Sequence, residues 1–408
     1  MASIRKSRKV VIVSQHYAPD PGTTASIITT IATHLAKTFE VLVLSGTSGG
    51  LPNSPQNADQ PIVVAIKNSM PSKTALKKRA LLETIFAIRT FIALLKRLNR
   101  GDVVLTVTAP FVLPYAVTAA AQIRRAKTIL ILHDLYPDVL VMAGLLQPTS
   151  IATKIIRLAN RLLFRALNSI VVIGRDMEDL LMRYKAMNRD KIIFIPNWAT
   201  LTPGVRPIAS GSVYRNQCSA AFVVGLSGNL GFTHDPDVVF DAALLLQNDP
   251  GIHFLLSGWG MGFERLKARQ ADAALANVTL VDPVPEERLE EFLSAADIWI
   301  IPYRRNVAGI SVPSRFYNLL AVGRPVLIIS EPDAEAALTV KENGLGWVVT
   351  PGHASELAAT IKITSSEEIR LKGARAAEKA LEFSDGSAMA KYQSLVERLL
   401  QERETETV

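Results

Sequence analysis

A histidine and a carboxylate stand side by side in His133-Asp134-Leu135-Tyr136-Pro137-Asp138, directly after the apolar run at 128–132. At a strand end such a pair can polarise or orient a reacting hydroxyl or phosphate; a satisfied structural His–Asp pair is the plainer alternative. Arg175, in Ile173-Gly174-Arg175-Asp176 after another apolar run, offers a cation to a bound anion or only to the surroundings of a helix end. In Gly225-Leu226-Ser227-Gly228-Asn229-Leu230-Gly231-Phe232-Thr233-His234-Asp235, Gly228 and Gly231 allow close backbone approach, which suits a phosphate cradle. Gly258-Trp259-Gly260-Met261-Gly262 has G-x-G-x-G spacing and so does not meet the dinucleotide fingerprint. The most informative stretch is Val307-Ala308-Gly309-Ile310-Ser311-Val312-Pro313-Ser314-Arg315-Phe316-Tyr317-Asn318. A small-residue loop there opens a helix, so its amides and Arg315 would face a diphosphate.

Near the start, Gln15-His16-Tyr17-Ala18-Pro19-Asp20-Pro21-Gly22 lacks both the dinucleotide and the Walker A pattern. Its amides could meet an anionic group, or it is an ordinary strand–helix turn. Asp235-Pro236-Asp237 resembles an acidic metal motif but falls where a helix begins, and capping is the ordinary use of such residues there. Six histidines without an H-E-x-x-H, and a single cysteine, Cys218, lead to no proposed metal site and no disulfide framework.

These residues need a scaffold that brings strand ends together. Short apolar runs at 10–14, 40–45, 62–66, 103–107, 128–133, 169–173 and 192–195 alternate with helical stretches, the longest at about 74–98. The alternation restarts at 221–227, 251–257, 278–281, 297–301, 325–330 and 346–349. Between the two series, 196–216 carries Pro203, Gly204, Pro207 and Gly211 without periodicity and reads as a linker. The pattern predicts an α/β protein of two doubly wound, Rossmann-like lobes facing across a cleft. Ligands of such sheets sit at the carboxyl ends of the strands, where the motifs above fall.

The chain has 408 residues, 49% hydrophobic, with a net charge of +8. That average hides an asymmetry: residues 1–200 hold 26 Lys and Arg against 11 Asp and Glu, while 201–408 hold 19 against 26. A basic half joined to an acidic one suggests lobes with different partners. The basic start leads into a first strand too quickly to be a signal peptide. The uncharged run 103–123 is interrupted by Pro110 and Pro114, and reads as a strand, a loop and a helix instead of a membrane span. Lys73, Lys77, Lys78, Arg79, Arg89, Lys96, Arg97 and Arg100 punctuate the apolar stretch at 74–98, so docking of the first lobe on an anionic membrane is expected. No stacking platform or recognition motif for nucleic acid is evident.

Taken in order, Ser14-Gln15-His16-Tyr17-Ala18-Pro19, His133-Asp134-Leu135-Tyr136-Pro137-Asp138, Ile173-Gly174-Arg175-Asp176-Met177, Ile195-Pro196-Asn197-Trp198, Gly228-Asn229-Leu230-Gly231 with His234-Asp235, and Val312-Pro313-Ser314-Arg315 with Gly323-Arg324-Pro325-Val326 resemble a GT-B glycosyltransferase of family four, in the bacterial surface-polysaccharide branch. The resemblance implies an N-terminal acceptor-binding lobe at 1–198, a linker at 199–217, a C-terminal donor-binding lobe at 218–380 and a helical tail at 381–408 packing back on the first lobe. It implies transfer of a sugar from a UDP- or GDP-linked donor to a lipid-linked (polyprenyl diphosphate) saccharide, with retention and without a cofactor or metal, at the inner face of the plasma membrane in the cytoplasm. His133 and Asp134 would be catalytic. Gly228, Asn229, Gly231, His234, Gly258, Gly260, Ser311, Val312, Pro313, Ser314, Arg315 and Asn318 would hold the donor, and His16, Tyr17, Gly22 and Arg175 the acceptor. Ile310 and Asn318 stand where the wider family has two glutamates, and Asn229 and His234 stand near its usual Arg and Lys. Asn318 can hydrogen-bond a ribose hydroxyl as a neutral group. A non-catalytic scaffold of a polysaccharide assembly complex and a sugar-nucleotide epimerase remain as other readings.

Overall fold

The computed structural model describes residues 9–20, 22–46, 59–68, 76–185, 187–209 and 211–405. The first half forms strands β1 (Lys9–Ser14), β2 (Glu40–Ser45), β3 (Ile62–Ala65), β4 (Val103–Val107), β5 (Lys127–Leu132), β6 (Ser169–Val172) and β7 (Ile192–Phe194). Between them lie α1 (Thr23–Ala36), α2 (Leu76–Arg97), α3 (Leu113–Arg124), α4 (Asp138–Met142), α5 (Ile151–Ala166) and α6 (Asp176–Met182). The second half adds β8 (Phe222–Leu226), β9 (Ile252–Ser257), β10 (Val278–Val281), β11 (Ile298–Pro302), β12 (Val326–Ile329) and β13 (Gly346–Val349). Its helices are α7 (Asp237–Leu245), α8 (Met261–Ala273), α9 (Leu289–Ser294), α10 (Arg315–Ala321), α11 (Glu335–Asn343), α12 (Ala354–Ile363), α13 (Ser366–Ala380) and α14 (Asp385–Thr405).

Every strand pairing is parallel, in the orders β3-β2-β1-β4-β5-β6-β7 and β10-β9-β8-β11-β12-β13. The order reverses between β1 and β4 and between β8 and β11, which opens a crevice at the carboxyl end of each sheet. Strands such as Val10-Val11-Ile12-Val13 are apolar at every position because helices cover both faces. Alternate side chains divide accordingly. Val10, Ile12 and Val43 pack with Ile28 and Leu35 of α1 and with Met389, Tyr392 and Val396 of α14. Val11, Val13 and Leu44 pack with Phe86 and Leu94 of α2 and Leu113 and Val117 of α3. The two-sheet α/β architecture agrees with the sequence reading, including the strand, loop and helix expected across 103–123. Among the described residues no helix is long and apolar enough to cross a membrane.

The linker is docked along the second lobe: the Gly204 and Arg206 amides donate to the carbonyls of Ala321 and Val322, at 2.8 and 3.1 Å. One apolar cluster runs from Leu130, Leu132 and Met177 in the first lobe to Phe316, Tyr317 and Ala336 in the second. The sheets therefore share a packed interface below the cleft.

Candidate active site between the two sheets

On the first-lobe wall, β4 and β5 end side by side. The Thr108 hydroxyl oxygen accepts from both the His133 and the Asp134 amides, each at 3.3 Å, and so fixes the loop that carries them. Below it Asn160 of α5 donates to the Tyr136 carbonyl at 2.5 Å and accepts from the Tyr115 hydroxyl at 2.5 Å. His133 Nε2 is buried with no partner among the described residues, and burial lowers the imidazole pKa to about 4. The ring is therefore neutral at physiological pH, with one nitrogen unsatisfied, a state that costs free energy unless a ligand supplies the hydrogen bond. Burial raises the Asp134 pKa to about 6, and the Ser311 side chain, from the facing lobe, acts to lower it.

On the second-lobe wall two glycine loops pack backbone on backbone. The Trp259 amide donates to the Gly228 carbonyl at 3.2 Å, and the Leu230 amide to the Trp259 carbonyl at 2.8 Å. A Cβ on Gly258 would stand 2.5 Å from the Gly228 carbonyl oxygen, so no larger residue fits there. Gly228 itself has φ +129, which disfavours any side chain. Its open side faces Arg315, whose Cβ lies 3.9 Å from where a Gly228 Cβ would be. Burial lowers the Arg315 pKa, with Glu286 acting in the other direction, and no carboxylate among the described residues pairs with it within 4 Å. A largely buried guanidinium left unpaired beside a glycine turn is suited to an anionic ligand. Farther along, the His234 ring lies 5.0 Å from that of Tyr303, and the Tyr303 hydroxyl donates to the Ser311 carbonyl at 3.3 Å. Burial lowers the His234 pKa to about 4. The structure thus joins His234 to Ser311 through Tyr303 on the second-lobe wall and sets Gly228 beside Arg315.

A clasp closes one end. The Arg175 Nε donates to Glu335 at 3.0 Å and Nη1 to Glu342 at 3.0 Å. The neighbouring Asp176 carboxylate accepts from the Gly309 amide at 2.8 Å and the Glu335 amide at 3.0 Å. Val312 lies so near that a Cβ on Gly174 would come within 2.8 Å of its Cγ2.

Other expected site residues take different places. The charge of Arg175 is balanced in the clasp, so it is not a free cation for an acceptor. Tyr17 is 5% exposed and packs in the core beneath α1. His16 pairs with Asp20 at 3.2 Å on the rim. Gly22 starts α1 with extended backbone and open space around it. Asn318 is buried, and its carbonyl accepts from the Thr200 and Leu201 amides at 2.7 and 3.3 Å. It fastens the linker, with its amide also donating to the Thr200 hydroxyl at 3.0 Å. Asn229 bridges to Trp259, Gly260 and Pro313 shape the turns, and Ser314 is exposed at the start of α10. Thr108 and Asn160 carry no motif in the sequence, although Thr108 stands directly after β4, at a strand end. A 420 Å³ cavity lined by Phe222, Gly251, Asp297 and Arg324 opens at the strand-start end of the second sheet, away from this cleft.

Two parallel sheets with a polar cleft at their carboxyl ends define a two-lobed, doubly wound α/β architecture. The overall fold matches a sucrose-phosphate synthase of Thermosynechococcus elongatus (TM-score 0.75, 16% identity, 97% of this chain and 99% of that one). It also matches Anabaena HepE, solved with UDP-glucose (TM-score 0.67, 16% identity, 97% and 99%). In sequence, residues 22–198 match the glycosyl transferase 4-like domain and 221–365 the glycosyl transferases group 1 domain. The chain is 27% identical to the glycosyltransferase WbjE of Pseudomonas aeruginosa, over 81% of this chain and 83% of that protein. It is 25% identical to the colanic acid biosynthesis glycosyl transferase WcaI of Escherichia coli K12, over 72% and 74%. The chain belongs to the glycosyltransferases, carrying a glycosyl transferase 4-like domain followed by a group 1 domain on a two-lobed GT-B fold.

Proposed function

We propose that the protein transfers a sugar from a UDP- or GDP-linked donor to a lipid-linked saccharide, with retention, while docked by its basic lobe on the anionic inner face of the plasma membrane. The observation that carries the donor site is the unpaired, largely buried Arg315 against Gly228. A diphosphate there gains a charge-assisted hydrogen bond and amides from two glycine loops. Anabaena HepE, of the same fold, holds UDP-glucose. The transferred sugar would lie toward His133, whose neutral ring offers Nε2 to a sugar hydroxyl. Asp134, with the Ser311 side chain near it, orients the reacting face. The C1–oxygen bond to the diphosphate breaks as the acceptor oxygen bonds to C1 on the same face, and the acceptor proton passes to the departing phosphate. This cation favours the diphosphate as charge develops on it.

Calorimetric titration with UDP and GDP tests the donor site. Arg315→Ala should weaken the bound nucleotide by roughly 1.5–3 kcal/mol, the range for a hydrogen bond to a charged group. Equal affinity in variant and parent places the diphosphate elsewhere.

A further inference from the structure

We infer that helix α5 is the element of the first lobe that enters the lipid surface, and that it brings the bilayer to the outer side of the catalytic loop. The inference rests on the membrane-docking reading above. The sequence directs attention to α2, but the structure distributes the exposed apolar surface differently. Ile151, Ile155, Leu158 and Leu162 of α5 are 76%, 61%, 58% and 64% exposed. Their spacing of four, three and four residues aligns them as one stripe along the helix. The opposite face buries Thr153, Asn160, Leu163 and Phe164 in the lobe, so the helix is already packed and the stripe is left over. Ser150 caps it, accepting from the Thr153 amide at 3.2 Å, which fixes where the stripe begins.

Charge selects the occupant. α5 contains no acidic residue and has Lys154, Arg157, Arg161 and Arg165 along one flank of the stripe. Arg157 pairs with Asp138 at 3.1 Å; the other three have no carboxylate partner among the described residues. A second copy of the chain seated on this face would set cations against cations. An anionic bilayer accepts both parts: the acyl boundary takes the stripe and the headgroups take the cations. On α2, Leu81, Ile88 and Ile92 are exposed too, but Arg79 is neutralised by Glu83 at 2.8 Å and Arg89 is bound to the Lys67 carbonyl. Lys73 and the side chain of Lys77 lie outside the described residues. Helix α3 packs against both α2 and α5, so all three share one side of the sheet, and α2 serves as a secondary contact.

The same helix reaches the chemistry. Asn160, on the inner face, holds the Tyr136 carbonyl two residues beyond Asp134. One helix thickness, about 10 Å, therefore separates the lipid surface from the loop bearing His133. An acceptor anchored by a lipid tail would enter from that side.

Flotation of the full chain with phosphatidylglycerol/phosphatidylethanolamine vesicles, and with phosphatidylcholine vesicles, tests this. The parent should float with the anionic vesicles only. Ile155→Asn with Leu158→Asn should weaken binding at least about tenfold, and Leu81→Asn with Ile88→Asn less. Leu158→Trp should fluoresce to the blue and be quenched by brominated lipid, an answer that holds even where the double variant fails to fold. If the parent floats but the α5 pair binds as tightly, or the tryptophan stays in water, the assignment to α5 is wrong while membrane docking stands. If the parent stays in solution, docking itself is wrong. Conversion of a dimer to a monomer by the α5 pair, with flotation unchanged, would assign the stripe to a second copy and overturn the inference.

Discussion

At the scale of single residues, His133 and Asp134 sit next to one another, and burial moves their pKa values in opposite directions. Burial disfavours charge on both, so the imidazole stays neutral down to about pH 4 and the carboxyl keeps its proton up to about pH 6. Ser311 works against the second effect by stabilising the carboxylate. Activity that requires ionised Asp134 should then fall as pH drops through about 6, while His133 imposes no limb until about pH 4. A kcat/KM profile of the parent should show that acid limb, and Asp134→Asn should lower the plateau and abolish the limb. A limb that persists in the variant assigns it to another group. Much of this site was legible in sequence because it lies at strand ends in contiguous motifs. The structural partners of Arg175, Tyr17 and Asn318 (Glu335, Thr29 and Thr33, and Thr200) could not be read from the motifs, because they are distant in sequence or belong to another element. A charge or amide in a motif shows its chemistry but not whether a partner has already taken it.

Elements were read more reliably. Runs such as 40–45, 103–107 and 278–281 coincide with β2, β4 and β10; β2 and β4 are largely apolar because helices cover both faces, while β10, at the sheet edge, is only partly buried. Less visible was why the second lobe spends so many glycines after β8 and β9. The two loops are in backbone contact, and the 2.5 Å approach to Gly258 leaves no room for a methyl group. Gly258→Val should therefore cost about 1–3 kcal/mol by overpacking and weaken nucleotide binding with it. Gly231→Ala, whose Cβ would meet only the Asn229 side chain at 3.4 Å, should be tolerated. Denaturant midpoints for the two variants check the contrast; equal losses would mean that the loops do not meet as described.

For the whole molecule, the lobes are joined by the shared apolar cluster, the docked linker and the clasp from Arg175 and Asp176 to Glu335, Glu342 and Gly309. Glu335 is nearly buried, so removing its cation leaves a carboxylate poorly compensated. Arg175→Ala should lower stability by about 1–3 kcal/mol, and Glu335→Gln in the same chain should recover part of it, as a double-mutant cycle would show. Additive losses would mean that the pair is not coupled. The proposed activity of this cleft is transfer of a sugar from a nucleotide to a lipid-linked acceptor. The most direct measurement supplies radiolabelled UDP- and GDP-sugars with membrane extract and follows the label in the lipid fraction. Label should appear in lipid with the parent, and His133→Ala should lose about 10²–10³-fold in rate at unchanged donor affinity. Label recovered only in an altered free sugar nucleotide, or equal transfer by parent and variant, would contradict it.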